Sequence, residues 1–230
     1  GVMGQEVIRQ FGFVDAVVNG EAEWVIVEVI RNLALKESID HLKGVSSRRV
    51  LPGNITPTIV SNIKPSSDGD LDTIPTPDFD DFFAQLRASG INGITPSLLY
   101  ESARGCWWGA VSHCIFCGLN SDSMGFRSKT PQLAFEQLIE ICERYDTERV
   151  QFVDNIIDMK YFKEFFPLLA GHDKQYQLFF ETKANLKKHQ IDSLKASGVS
   201  EVQPGIESLS SEVLKIIGKG ISAINNIQTI

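Results

Sequence analysis

From Gly93 onward, short runs rich in β-branched and aromatic residues alternate with longer stretches of helical spacing, and this rhythm constrains the fold more than any other feature. Ile94 to Tyr100 reads as a strand, and Pro131 to Tyr145 as a helix with proline in its first turn. Arg149-Val150-Gln151-Phe152-Val153 reads as a second strand, followed by a helix from Met159 to Leu169. Gln177-Leu178-Phe179-Phe180 is a third strand, and Lys187 to Ser197 a helix stopped by Gly198. Glu201-Val202-Gln203 makes a fourth, short strand, and Ser210 to Ile217 a helix closed by Gly218. Four strand–helix units in series predict a parallel sheet with right-handed crossovers. The stretch from 93 to 230 holds four such units and the opening of a fifth, so a half or open β/α barrel is expected.

The earlier residues read differently. Residues 1–35 contain a helix-like stretch at Gln5 to Arg9, a short strand at Ala16-Val17-Val18 and an amphipathic helix from Trp24 to Leu33. This αβα piece is too small to be a domain by itself. Across 36–92 the chain changes character. Six of the nine prolines (52, 57, 65, 75, 77 and 96) fall between Lys36 and Pro96 and discourage regular structure. We read 36–92 as a linker packed on a domain surface, because Ile55, Ile59, Val60 and Ile63 need cover. One short helix is expected from Asp78 to Ala88, carrying Phe79, Phe82, Phe83 and Leu86. The chain opens without an initiator Met, and Ile221 to Ile230 follow Lys219-Gly220 without a recognisable cap. It therefore reads as a piece of a longer protein.

The charge balance narrows the partners. Twenty-two basic and 29 acidic residues leave a net charge of −7, which argues against broad nucleic-acid binding. The run Val25-Ile26-Val27 is broken at once by Glu28, and no apolar stretch approaches the roughly 20 residues of a membrane helix. No secretory signal is recognised at the start of the chain. The expectation is a cytoplasmic protein that binds neither membrane nor nucleic acid.

Four cysteines occur, and Cys106, Cys114 and Cys117 fall within twelve positions as C-x7-C-x2-C. Two residues between thiolates let a tight turn aim both sulfurs at one metal centre, and Gly105, Gly109 and Gly118 permit the fold-back. Spacing alone leaves three readings open: zinc on three cysteines and a histidine, an iron–sulfur cluster, or unligated thiols. His113 is a poor fourth ligand beside Cys114, since adjacent side chains diverge, and no second CxxC exists to complete a structural zinc site. Three thiolates suit a 4Fe-4S cluster with one iron left open. Cys142, within Leu138-Ile139-Glu140-Ile141-Cys142, reads as a core thiol on a helix. Polar residues recur where the later strands end: Asp154-Asn155, then Glu181 and Lys183, then Gln203, Glu207 and Ser208. In a parallel barrel those ends open onto one face, the face that carries active sites.

These residues resemble a known family. Cys114-Ile115-Phe116-Cys117 is similar to the C-terminal part of the radical SAM motif, although its first gap is seven residues where three is usual. That longer gap, with Cys106-Trp107-Trp108-Gly109, His113, Cys117-Gly118-Leu119-Asn120 and Met124 to Lys129, resembles one subgroup. It is the cobalamin-dependent radical SAM proteins that mature ribosomally made peptides, described as C-methyltransferases. Gln203 to Leu209 and Lys219-Gly220 match what such proteins carry later in the barrel. The resemblance covers about 93–230. Gly1 to Glu23 is similar to the tail of that family's Rossmann-like cobalamin-binding domain, most of which would precede Gly1.

The resemblance implies that Cys106, Cys114 and Cys117 ligate a 4Fe-4S cluster whose open iron binds the amino and carboxylate groups of S-adenosylmethionine (SAM). It implies that Phe116 packs near the adenine, that Asp154 and Asn155 meet the SAM amino group, and that Glu181 and Lys183 face the ribose or carboxylate. Glu207 is a further polar contact, while Trp107 and Trp108 shield the cluster or serve as core. Reductive cleavage of SAM would give a 5′-deoxyadenosyl radical that abstracts a substrate hydrogen, with methylcobalamin supplying the methyl group. A precursor peptide and an electron-donor protein are the implied partners. Two readings stand beside this one: radical SAM peptide modification without methylation, such as cyclisation or thioether formation, and a zinc-stabilised α/β interaction module.

Overall fold

A computed structural model describes residues 2–49, 58–62, 69–118 and 125–230. The chain divides into two units, Gly1–Gly69 and Asp70–Ile230. In the first, α1 (Val2–Gln10) is followed by β1 (Ala16–Val18), α2 (Ile26–Ala34), β2 (Val45–Arg49) and β3 (Thr58–Ser61). The strands form one sheet in the order β1-β2-β3, antiparallel throughout, with Val17 opposite Ser46 and Ser47 opposite Val60. Val25, Val29, Ile39, Leu42 and Val45 bury against Ala16 and Val18 to make its small core. The parallel pairing of a Rossmann-like remnant is not present among these strands. The reason is a closing contact at the end of β1: the Asn19 N–H (2.6 Å) and Nδ2 (3.2 Å) both donate to the Gly44 carbonyl, which returns the chain antiparallel.

The segment read as a linker is largely built into the two units. Strands β2 and β3 lie within it, because Val45, Ser46 and Ser47 are small enough to bury in a ladder with β1. Pro52, Pro57 and Pro65, and Ile55 and Ile63 with them, lie outside the described residues. Its later part packs on the second unit. The expected helix is α3 (Asp80–Ala88); Phe83 stacks on Tyr145 at 4.8 Å, and Arg144 pairs with Asp78 (2.9 Å) and Asp80 (2.6 Å).

The second unit continues through β4 (Leu98–Tyr100), β5 (Ala103–Arg104), β6 (Arg127–Ser128), α4 (Pro131–Arg144), β7 (Arg149–Phe152), α5 (Phe165–Ala170), β8 (Gln177–Lys183), α6 (Lys188–Ala196), β9 (Val199–Gly205), α7 (Ser211–Ile216) and α8 (Ala223–Thr229). Strands β4, β7, β8 and β9 form a parallel sheet in that order, the open β/α half-barrel expected from the alternation. Helices α4, α5 and α6 cover one face. Phe152 stacks on Phe180 at 3.9 Å, and Leu138, Ile141, Phe165, Phe166 and Leu178 close around them without solvent contact. Cys142 joins this core, where burial pushes its thiol up to about 12.

Two helices depart from expectation. Met159 to Leu169 is a 3-10 turn, Met159–Phe162, followed by α5. Pro167 requires the break: in a continuous helix it would forfeit a bond to the Lys163 carbonyl and its ring would strike that group. The last ten residues do carry a cap. Ser222 and Asn225 form a reciprocal capping box at the start of α8, with Ser222 N donating to Asn225 Oδ1 at 3.0 Å.

The sheet's period of two determines what faces the open side. Leu178, Phe180 and Thr182 are buried towards the helices, so Phe179, Glu181 and Lys183 point the other way. A register shift between Leu178 and Phe179 sets Glu181 opposite Gln203 and Lys183 opposite Gly205. Gly198 begins the last parallel pairing at φ +84, and a Cβ there would lie 2.5 Å from the Tyr176 carbonyl oxygen. Gly90 has a similar φ of +67 with nothing nearby. Gly198→Ala should lower the unfolding free energy by about 2 kcal/mol or more, and Gly90→Ala by about 1 kcal/mol, in urea denaturation. Equal effects would show that the Tyr176 contact is soft.

Candidate functional site

The cysteine-bearing loop leaves the C-terminal end of β4 and is closed at its base by the β5–β6 ribbon, with Arg104 opposite Arg127. Gly105 makes the first bend at φ +80; a Cβ there would lie 2.3 Å from the Gly125 carbonyl oxygen, so only glycine fits. Neither Gly109 nor Gly118 adopts a positive φ. Two indoles then anchor the loop at separate points. Trp107 Nε1 donates to the Ile157 carbonyl after β7, and Trp108 Nε1 to the Gly218 carbonyl after α7, each at 3.0 Å. The Ile115 N–H adds a bond to the Ile217 carbonyl at 3.1 Å. The loop is thereby stretched across the strand ends.

This anchoring gathers most of the expected site residues around one cavity of about 190 Å³. Cys106, Cys114, Phe116 and Cys117 line it from the loop. Asn155, Glu181, Lys183 and Glu207 line it from the ends of successive strands. Cys117 N donates to the Cys114 carbonyl at 3.0 Å, the tight turn that the two-residue spacing implies. Cys106 Sγ accepts from the Gly109 N–H at 3.3 Å, and the Cys114 thiol donates to the Gly218 carbonyl at 3.8 Å. His113 is not among the residues that line this cavity, and its Nε2 lies 3.0 Å from the Cys117 carbonyl oxygen.

Two cations dominate the electrostatics. Lys183 Nζ lies 3.1 Å from the centroid of the Trp108 ring and 5.7 Å from that of Trp107. The residue is 5% exposed, its side chain forms no ion pair or hydrogen bond among the described residues, and burial pushes its ammonium down to about 8. Lys219 Nζ is paired instead, with Glu207 Oε1 at 2.9 Å, and sits 5.7 Å from the Phe116 ring centroid. Burial raises the Cys114 thiol, a rise opposed by both lysines, and burial likewise raises Glu181.

Residues 100–230, more than half of the chain, match the sequence profile of the radical SAM superfamily. The chain belongs to that superfamily. An uncharacterized methyltransferase of Pyrococcus horikoshii is 24% identical over 235 residues, covering 97% of this chain and 47% of that protein. Among solved structures, the cobalamin-dependent S-adenosylmethionine radical enzyme OxsB, with aqua-cobalamin and S-adenosylmethionine bound, superposes with a TM-score of 0.72 at 19% identity. That match covers 98% of this chain and 32% of OxsB. The radical SAM methyltransferase TsrM of Kitasatospora setae, with cobalamin and a [4Fe-4S] cluster bound, gives a TM-score of 0.65 at 12% identity, covering 95% of this chain and 44% of that one. The chain thus spans about half the length of the curated relative it matches and less than half of either solved chain.

As a member of the radical SAM superfamily, the protein would hold its cofactor on residues that can be tested for fit. Three thiols share one cavity wall, a backbone N–H reaches one of the sulfurs, and lysines stand nearby. Among the described residues no three His, Cys, Asp or Glu side chains converge as the ligands of a single ion. A cluster takes each thiolate on a different iron, so three thiols that line one cavity need not converge on a single point. The residues present fit the group.

One expected residue does other work. Asp154 is 1% exposed and does not line the cavity; Oδ1 accepts from Ser102 N (2.7 Å) and Ala103 N (2.9 Å), and Oδ2 from the Ser102 hydroxyl. Burial pushes this carboxyl up to about 7, against those three donors. It clamps the chain between β4 and β5, which positions the start of the cysteine loop, while Asn155 faces the cavity.

Two residues to which the sequence assigns no ligand contact also line the cavity: Trp108, read as shield or core, and Lys219, read only as part of the resemblance; each is accommodated by a glycine. A Cβ on Gly220 would lie 1.9 Å from the Trp108 ring, and one on Gly205 2.5 Å from Lys219 Nζ. Asn226 on α8 donates to the Ile206 and Ser208 carbonyls, each at 2.6 Å, and so holds the turn in which Glu207 takes φ +58. Asp154→Ala would leave two buried N–H groups without acceptors and should cost about 3 kcal/mol of stability in urea denaturation. Asn155→Ala should change it by about 0.5 kcal/mol or less. Comparable losses from both would refute the separate duties assigned to these neighbours.

Proposed function

We propose that the protein is a radical SAM enzyme in which Cys106, Cys114 and Cys117 hold a 4Fe-4S cluster and the adjoining cavity binds SAM. The observation that carries this reading is the convergence of the three thiols with Asn155, Glu181, Lys183 and Glu207 on one cavity, in a chain whose residues 100–230 match the superfamily. When bound, the cluster supplies the electron that cleaves SAM reductively, and the resulting radical chemistry is the cofactor's own.

The chain's residues bind, orient and shield. Lys183 presents an ammonium with no carboxylate partner in the described structure, which suits it to the carboxylate of SAM. Phe116 offers a half-exposed ring to the adenine, and Asn155 and Glu181 offer polar atoms to the amino group and ribose. Trp108 lines the cavity beside the thiols, held by its bond to Gly218, and limits the access of water, while Trp107 anchors the loop to Ile157.

The outcome we favour is cobalamin-dependent C-methylation of a ribosomally synthesised precursor peptide, with an electron-donor protein as the second partner and the cytoplasm as the location. Support comes from the motif resemblance around 104–131 and from the fold shared with two cobalamin-dependent or methyltransferase structures. The first unit is read as the edge of the part that receives cobalamin. No helix among the described residues is long and apolar enough to cross a membrane.

Anaerobic reconstitution with iron and sulfide should give about four irons per chain and a visible charge-transfer band. Cys106→Ala, Cys114→Ala and Cys117→Ala should each abolish it, and Cys142→Ala should not. Stoichiometric zinc without iron uptake would overturn the reading in favour of an interaction module. Supplied with SAM and a low-potential reductant, the reconstituted protein should release 5′-deoxyadenosine.

A further inference from the structure

Lys219 lines the thiol cavity, where the missing Cβ of Gly205 leaves room for its ammonium. It follows Gly218, whose carbonyl accepts from both the Trp108 indole and the Cys114 thiol. Its side chain is 12% exposed and passes the position where Gly205 lacks a Cβ; any side chain there would meet Nζ at 2.5 Å. Glu207 then holds the ammonium from its left-handed backbone position, and that turn is itself fixed by Asn226. A left-handed glutamate and a notch opposite an ammonium are features that packing alone does not require. Both act on where one positive charge sits. Lys183 faces the same cavity but has no carboxylate partner among the described residues and is suited to a ligand, whereas Lys219 is already paired and held.

We infer that Lys219 is a positioning residue for the cofactor: its charge, set in place by Gly205 and Glu207, raises the reduction potential of a cluster bound on Cys106, Cys114 and Cys117. This rests on the reading of the three cysteines as cluster ligands. Reduction adds one electron, delivered by an external low-potential donor such as dithionite, to a cluster–thiolate assembly that is already anionic. A fixed cation beside the assembly stabilises the reduced form more than the oxidised one. The pairing with Glu207 reduces the net field but keeps the ammonium on the cavity wall, where a free lysine would extend into solvent.

The test is a dithionite titration of the reconstituted full chain, followed by electron paramagnetic resonance, with iron content measured on each sample. Lys219→Met should retain about four irons per chain and show a lower midpoint potential than the unsubstituted protein. Gly205→Ala, which displaces the ammonium without removing it, should shift the potential the same way. Lys219→Arg should restore it most of the way. Lys215→Met removes the same charge from the exposed face of α7 and should leave the potential where it was. An unchanged potential in a fully loaded Lys219→Met variant would overturn the inference and leave the cluster assignment standing. Loss of iron from Lys219→Met that Lys219→Arg prevents would support a role for the charge, and loss from both would overturn it. Failure of the unsubstituted chain to take up iron would instead remove the reading on which the inference depends.

Discussion

Two indole N–H groups, each donated to a carbonyl in a different loop, hold the cavity in shape. Without them the cysteine loop would keep its Ile115 and Cys114 bonds to the turn after α7 but would lose its tie to the turn after β7. Each bond contributes only about 1 kcal/mol net, but the buried Ile157 residue would otherwise lose the indole donor to its carbonyl, which sharpens the preference for one loop position. Trp108 does three things at once. Its N–H meets Gly218, its face meets Lys183, and its edge occupies the space that Gly220 leaves by having no side chain. The thiol of Cys114 meets the same Gly218 carbonyl, so cysteine geometry and the turn after α7 are mechanically linked.

A second constraint works from beneath. Asp154 spends its carboxylate on Ser102 and Ala103, so the strand end that looks most like a ligand contact is a structural clamp. Its neighbour Asn155 inherits the cavity. This division is typical of a strand terminus: one residue points back into the protein and the next outward, and the polar character of both makes them alike in sequence. The same alternation along β8 places Glu181 and Lys183 together on the open face while Phe180 and Thr182 face the helices.

Much of the second unit was legible before any coordinates. The four parallel strands, the helices between them and Gly198 and Gly218 as stops follow from periodicity and from the φ values that only glycine tolerates well. The gathering of the three cysteines on one cavity was legible because the two residues between Cys114 and Cys117 allow a tight turn and Cys106 lies only eight positions before it. In the first unit the two helices and β1 were legible, but β2 and β3 were not, since β2 gains its place from β1 partners 27 to 31 positions away, as with Val17 and Ser46. The break before α5 was marked by Pro167, but hydrophobic spacing through Phe165, Phe166 and Leu169 masked it. The cap of α8 was hidden because Asn225 plays the part usually taken by Glu or Gln.

The sequence by itself determined the α/β class, the parallel order of the half-barrel and the identity of the three thiols, because each rests on local periodicity or close spacing. Only the tertiary structure decided which polar strand-end residues meet those thiols. Asp154 turned inward and Asn155 outward because two backbone N–H groups, distant in sequence, needed an acceptor. Lys219 joined the site from more than 100 residues beyond Cys106 because Gly205 leaves room for it and Glu207 holds it there. Such choices depend on contacts made across the fold, and neither composition nor spacing encodes them locally.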